Sequence, residues 1–229
     1  MNELLAATIL FVGGHFLLSS SSLRNPLTQK LGSAGFQGLY AASVLGAFLW
    51  MIFAYGKAPI INLWYPAPAL SWMPQVLMPI AFFGIVAGLT TPNPTIVGGQ
   101  KFLSDSPQRA ACGIFTITRH PFLWGTSLWA FSHLLTNGDA ASIALMTGIA
   151  TLSLGGMHHI DLRREAELGA AWGPFALTTS LVPFAAIATQ RTELDWHGIG
   201  WWRPALALGI HLAAMALHPH IIGVSPFPG

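Results

Sequence analysis

A chain of 229 residues with ten Lys/Arg and eight Asp/Glu is only 8% charged, against about 25% in soluble domains, which excludes an ordinary water-soluble domain. A net charge of +2 with no basic tract behind it also excludes a nucleic-acid binder. With 53% hydrophobic residues, a mean hydropathy of +0.57 and several apolar runs near the roughly 20 residues that cross about 30 Å of hydrocarbon, the chain reads as an all-α polytopic membrane helix bundle, a single domain over residues 1–229 embedded in a lipid bilayer.

Six spans are expected. Leu4–Leu23 is the first; Glu3 is its only early charge and His15 falls in mid-run, so it reads as a retained span rather than a signal peptide. Gly35–Tyr55 is the second, and the segment after it, with Pro59, Trp64, Tyr65, Pro66, Pro68 and Trp72, suits an aromatic belt at the outer surface. Trp72–Leu89 is the third, followed by the longest irregular stretch, Thr90–Cys112, rich in Pro and Gly. Pro121–Thr136 is a short fourth span opened by proline at its first turn. Ala140–His159 is the fifth. Beyond it, Leu162, Ala166, Leu168, Trp172 and Phe175 are spaced, with charges between, as in an amphipathic helix over Asp161–Leu177 lying on the cytoplasmic surface. Trp201–His218 is the sixth. There is no internal repeat of the kind that builds transporters from duplicated halves.

Basic residues fall on one side of these spans. Arg24 and Lys30 follow the first, Lys101, Arg109 and Arg119 precede the fourth, and Arg163, Arg164, Arg191 and Arg203 lie between the fifth and sixth; only Lys57 lies opposite. By the positive-inside rule these loops are cytoplasmic and both termini lie outside, on the periplasmic side of a bacterial inner membrane. The Arg163/Arg164 pair is expected to snorkel in a self-neutralising rim that fixes helix depth.

Nine histidines in so uncharged a chain call for a reason. His15 and His211 fall near the middles of the first and sixth spans and His133 toward the outer side of the fourth; His120, His158 and His159 gather at cytoplasmic helix ends, with His197 cytoplasmic and His218 and His220 outside. A single neutral histidine can simply hydrogen-bond a neighbouring helix. Several on different helices favour a ligand, since imidazole binds iron well and a facing pair in an apolar bundle can hold haem. Without C-x-x-C-H there is no covalent c-type attachment, and without H-E-x-x-H a hydrolytic zinc site is disfavoured. The lone Cys112 excludes an intramolecular disulfide framework and a cysteine metal cluster. A second cluster, Gly113-x-Phe115-x-x-x-Arg119-His120-Pro121-x-x-x-Gly125, puts a fixed cation and a titratable ring at the mouth of the fourth span.

Three stretches resemble the NnrU family: Gly13-Gly14-His15-Phe16-Leu17-Leu18-Ser19-Ser20 with Leu23-Arg24; Ile117-Thr118-Arg119-His120-Pro121 with Trp129-Ala130-Phe131-Ser132-His133; and Ser180-Leu181-Val182-Pro183-Phe184-Ala185-Ala186-Ile187. That family includes bacterial proteins associated with nitrite and nitric oxide reduction and the related zeta-carotene isomerases. The resemblance to the isomerase branch implies haem b, with His15 and His133 as axial ligands, and a redox-dependent cis-to-trans isomerisation of a lipophilic polyene. It equally implies, for the other branch, an accessory role beside a denitrification complex. By depth alone His211 is the better-levelled partner for His15. His218 also falls on a histidine of the isomerase branch, without an assigned role.

A more distant resemblance is to isoprenylcysteine carboxyl methyltransferases. It rests on Gly113-x-Phe115, Arg119-His120-Pro121 and Gly125, followed by Glu165-x-x-Leu168-x-x-x-Trp172-Gly173. It implies S-adenosylmethionine bound by Arg119, His120 and Glu165 at the cytoplasmic face. The chain departs from that pattern at Leu123, where tyrosine is expected, and at Arg164, where the first glutamate is expected. A non-enzymatic assembly protein is the remaining reading.

Overall fold

The computed structural model describes residues 1–96, 99, 102 and 112–227. Lys101 and Arg109, two of the basic residues used above, lie outside them. Six long helices carry the fold: α1 (Asn2–Ser19), α2 (Ser21–Lys57), α3 (Met73–Thr90), α4 (Pro121–Thr136), α5 (Ala140–Leu168) and α6 (Trp202–Ile221). All of them except α4 are long and apolar enough to cross a bilayer, counting the turn Leu70–Trp72 with α3 and residues to Ala171 with α5. At 16 residues, α4 reaches about 24 Å at 1.5 Å per residue.

The bounds of α4 coincide with the expected fourth span, because Pro121 can only begin a helix there and Asp139 starts the next one, its side chain accepting from Ser142 N at 2.9 Å. Two other expectations change. The first span ends at Ser19, since Ser20 is extended (φ −65°, ψ 142°). The polar stretch with Arg24, Asn25, Gln29 and Lys30, expected to be a loop, is instead the opening of α2, which kinks at Gly32 (φ 71°, ψ 167°) before its apolar part. At the other end, no helix-breaking residue follows His159, so the fifth span and the first half of the expected surface helix form one element that stops at Gly169 (φ 52°). Trp172 and Phe175 do not face lipid. They are 3% and 0% exposed and pack with Ile114, Phe115 and Ala87 in a core cluster beneath the helix ends.

The helices stand in a row: α2 packs on α1, α1 on α5, α5 on α4, α4 on α3 and α3 on α6. The main core, including Leu4, Phe11, Met51, Ala130, Leu145 and Met146, lies among α1, α2, α4 and α5. The tightest seam joins α3 to α4. A Cβ on Gly88 would stand 2.6 Å from Phe122 N, and one on Gly125 2.5 Å from the Ala81 carbonyl oxygen, so Gly84, Gly88 and Gly125 let the two backbones meet. On the end helices Leu45, Leu49, Phe53, Leu206, Leu208 and Leu212 are exposed, an apolar perimeter that hydrocarbon accepts and water does not. The chain is a multi-pass membrane protein. On one face of the row, Arg24 pairs with Glu167, Arg119 with Asp161, and Arg203 Nε donates to Thr90 Oγ1 at 2.9 Å. Lys57 lies at the other end of α2, over the Phe53 ring.

Candidate functional site

His15 sits near the end of α1. Its Nδ1 is 2.8 Å from the Phe11 carbonyl oxygen four residues back, and its ring meets Phe11 and Tyr40 of α2 edge to face at centroid distances of 4.7 and 5.9 Å. His133 repeats the arrangement on α4: Nδ1 is 2.8 Å from the Trp129 carbonyl oxygen and the Trp129 ring lies 5.0 Å away. A carbonyl oxygen has no hydrogen to give, so Nδ1 donates in both rings. In the neutral state each therefore carries its lone pair on Nε2, the tautomer in which a histidine binds a metal through Nε2. The donor chemistry of both residues fits an axial haem ligand.

The structure assigns them different surroundings. A cavity of about 250 Å³ opens between α3, α4, α6 and the segment Val224–Phe227, lined among others by His133, His211, His218, Phe82, Gln75 and Asn137. His211 is buried with its ring 5.7 Å from Phe82, and His218 Nδ1 donates to the Val224 carbonyl at 2.8 Å. Gln75 Nε2 donates to the Pro226 carbonyl at 2.8 Å, drawing the C-terminal segment across the opening. His15 is not among the lining residues, and α5 stands between α1 and α4 in the row. His211, expected to match His15 in depth, is instead mid-helix and a companion of His133, because α6 packs on α3 at the far end from α1. Among the described residues there is no group of three or more His, Cys, Asp or Glu placed to hold a metal ion; a histidine pair is the remaining arrangement for iron.

Arg119 and His120 join two of the motif stretches. Arg119 N donates to the Ser180 carbonyl at 2.8 Å, Phe184 N to the Ile117 carbonyl at 2.8 Å, and Trp124 Nε1 to the Leu181 carbonyl at 2.8 Å. His120 is 2% exposed, with Nε2 2.8 Å from Asp161 Oδ1, and Arg119 Nε stands 3.4 Å from Asp161 Oδ2. Burial lowers the Arg119 pKa from the usual arginine range, and Asp161 opposes that shift. Glu165, the third residue expected around S-adenosylmethionine, is exposed and pairs with neither. Arg164 is buried on the Ile96 carbonyl and Glu167, a cation where that resemblance calls for a carboxylate. Tyr40 is a neighbour of His15 that sequence reasoning missed, since nothing in the spacing shows that α2 folds back against α1 at Ser20.

A row of apolar helices carrying half-buried histidines, His15 and His133, each with Nδ1 on a backbone carbonyl, defines a multi-pass membrane protein. The model of the NnrU protein family matches residues 3–226, and the chain belongs to the NnrU family. It is 34% identical over 110 residues to the chloroplastic 15-cis-zeta-carotene isomerase of Zea mays, a match covering 47% of this chain and 30% of that protein. Against the corresponding chloroplastic enzyme of Arabidopsis thaliana it is 31% identical over 116 residues, 49% of this chain and 32% of the relative. The match thus spans less than a third of the length of these relatives. No solved structure matches the chain.

Proposed function

We propose that this protein is a haem b-binding membrane isomerase that acts on a lipophilic polyene, with His15 and His133 as the iron ligands, each in its own surroundings, since α5 stands between α1 and α4 and His133 alone of the two lines the cavity. The observation that carries the reading is the shared state of the two rings, each with Nδ1–H held by the carbonyl four residues back and Nε2 left for a metal. When bound, haem would supply one-electron redox chemistry through its iron. The protein's own part is orientation and exclusion. The Phe11 and Trp129 carbonyls fix the imidazoles and raise their basicity, and Tyr40 and Trp129 pack against the ring faces and edges and keep water away. The likeness to two zeta-carotene isomerases favours this chemistry over an accessory role in denitrification. The setting we assign is a bacterial inner membrane, with α4 completing six spans and both termini outside; the position of Arg24, Arg119 and Arg203 on one face of the row and of Lys57 on the other supports it.

The visible spectrum of the purified, haem-reconstituted protein tests the assignment. A Soret band is expected in the wild type, diminished and shifted in both His15→Ala and His133→Ala, and conversion of a 15-cis polyene to its trans form is expected to fall with it. A spectrum that both substitutions leave unchanged would remove these residues as ligands, and loss in His133→Ala and His211→Ala but not His15→Ala would move the site to the cavity.

A further inference from the structure

Arginines buried in a membrane protein ordinarily bring their own counter-charges. Among the described residues, those at the end of α5 do not. Arg24, Arg163 and Arg164 share the single carboxylate of Glu167: Arg24 bonds Oε1, Arg164 Nη1 donates to Oε2 at 2.9 Å, and Arg163 Nε stands 3.9 Å from Oε1. The neighbouring Asp161 is already engaged by Arg119 and His120. The side chain of Arg164 is 1% exposed and that of Arg163 is 20% exposed, so the expected snorkelling, self-neutralising rim is neither. Arg163 Nε and Arg164 Nε are buried without a hydrogen-bond partner, and the Arg163 side chain donates no hydrogen bond to any described residue. Arg24 and Tyr40 both lie within electrostatic reach of Arg163. Glu165 is exposed and enters none of these ion pairs.

We propose that a phosphate group, that of an anionic phospholipid, completes this cluster, bound by the guanidiniums of Arg163 and Arg24. Guanidinium forks match phosphate oxygens in geometry as well as charge, and one such anion supplies the counter-charge that the described residues do not give these three arginines. The lipid is favoured over a dissolved phosphate by what surrounds the cluster. It lies where α1, α2 and α5 meet, at the end of the row formed by α2, and Leu17, Leu31 and Leu162 on those same three helices are exposed. Charge at the rim with apolar side chains beside it is the pattern of a headgroup above acyl chains.

Native mass spectrometry of the delipidated protein, without added haem, incubated with phosphatidylglycerol or phosphatidylcholine provides the test. One phosphatidylglycerol retained per chain is expected, in preference to phosphatidylcholine by about tenfold. Arg163→Gln is expected to abolish that preference, and Lys57→Gln, at the opposite end of α2, to leave it intact. Thermal unfolding in inorganic phosphate forms the second arm. A rise in wild type that is absent in Arg163→Gln, with no lipid retained, assigns the same anion site to a dissolved phosphate. Equal retention of the two lipids with no effect of phosphate overturns the proposal. So does a phosphatidylglycerol preference that survives both Arg163→Gln and Arg24→Gln. If Arg163→Gln does not fold, Arg163→Lys, which keeps the charge and loses the fork, takes its place beside Arg24→Gln under the same criteria.

Discussion

A helical histidine that donates Nδ1–H to the carbonyl four residues back has one group left for a partner, its Nε2 lone pair. The residue types of His15 and His133 were legible in the sequence, but the depth of His15, expected at mid-span, was not, because α1 ends at Ser19. Their tautomers were not legible either, because they follow from side-chain rotamers that the spacing of residues does not specify. The same limit hid Asp195, which no motif contains. Its Oδ1 accepts from Gly198 N and its Oδ2 from Gly113 N, both at 2.8 Å, pinning the short helix Trp196–Ile199 to the turn Gly113–Thr116 beneath α4. These two donors hold the carboxyl below its usual range. The folded state therefore prefers the ionised form, and the stabilisation is complete above the ordinary carboxylate range and disappears as pH falls through the lowered folded value. Asp195→Ala is expected to lower stability at neutral pH by about 1–2 kcal/mol, as for loss of a helix cap. Thermal unfolding in detergent across the acid range should show the gap between variant and wild type closing as the pH drops, and a gap independent of pH would refute the account.

Among the helices, α4 is the element the sequence specified best, because a proline at its first position and an Asp cap just after it mark both ends. The turn between α1 and α2 was illegible for the opposite reason. Ser20 breaks the helix by adopting an extended backbone and Gly32 by a positive φ, while the residues between them are compatible with either helix or loop. The α3–α4 seam shows what a small residue does at this scale. Gly84 and Gly88 form a small-x-x-x-small face on α3, and Gly125 answers it on α4. Gly88→Ala and Gly125→Ala place a methyl group against backbone atoms that cannot rotate away, so each is expected to cost about 1–3 kcal/mol, the range for overpacking. Gly46→Ala on α2 meets nothing within 4 Å and is expected to be neutral or to stabilise by up to about 1 kcal/mol. Melting temperatures of the three variants in one detergent decide the matter: equal shifts would mean that the seam is not close-packed.

For the whole molecule, the positions of the basic residues carried more information than their number. Arg24, Arg119, Arg163, Arg164 and Arg203 come from distant parts of the chain and lie on one face of the row, at the same ends of its helices. The order of the helices within that row was not legible, since hydropathy marks which segments are apolar and says nothing of their neighbours. The proposed six crossings would put both termini on one side. Alkaline phosphatase fused after Phe227 is expected to be active in a bacterial host, and a fusion at Arg191 inactive; the reverse pattern would invert the topology. A row has a further consequence for kinetics. Because α2 and α6 close its ends with apolar side chains turned outward, a polyene dissolved in the bilayer meets the protein through the lipid phase. The concentration that governs the proposed reaction is then the mole fraction of substrate in the membrane. Adding inert phospholipid at constant total substrate should slow turnover by surface dilution, whereas adding buffer at a constant lipid-to-substrate ratio should leave the rate per protein unchanged.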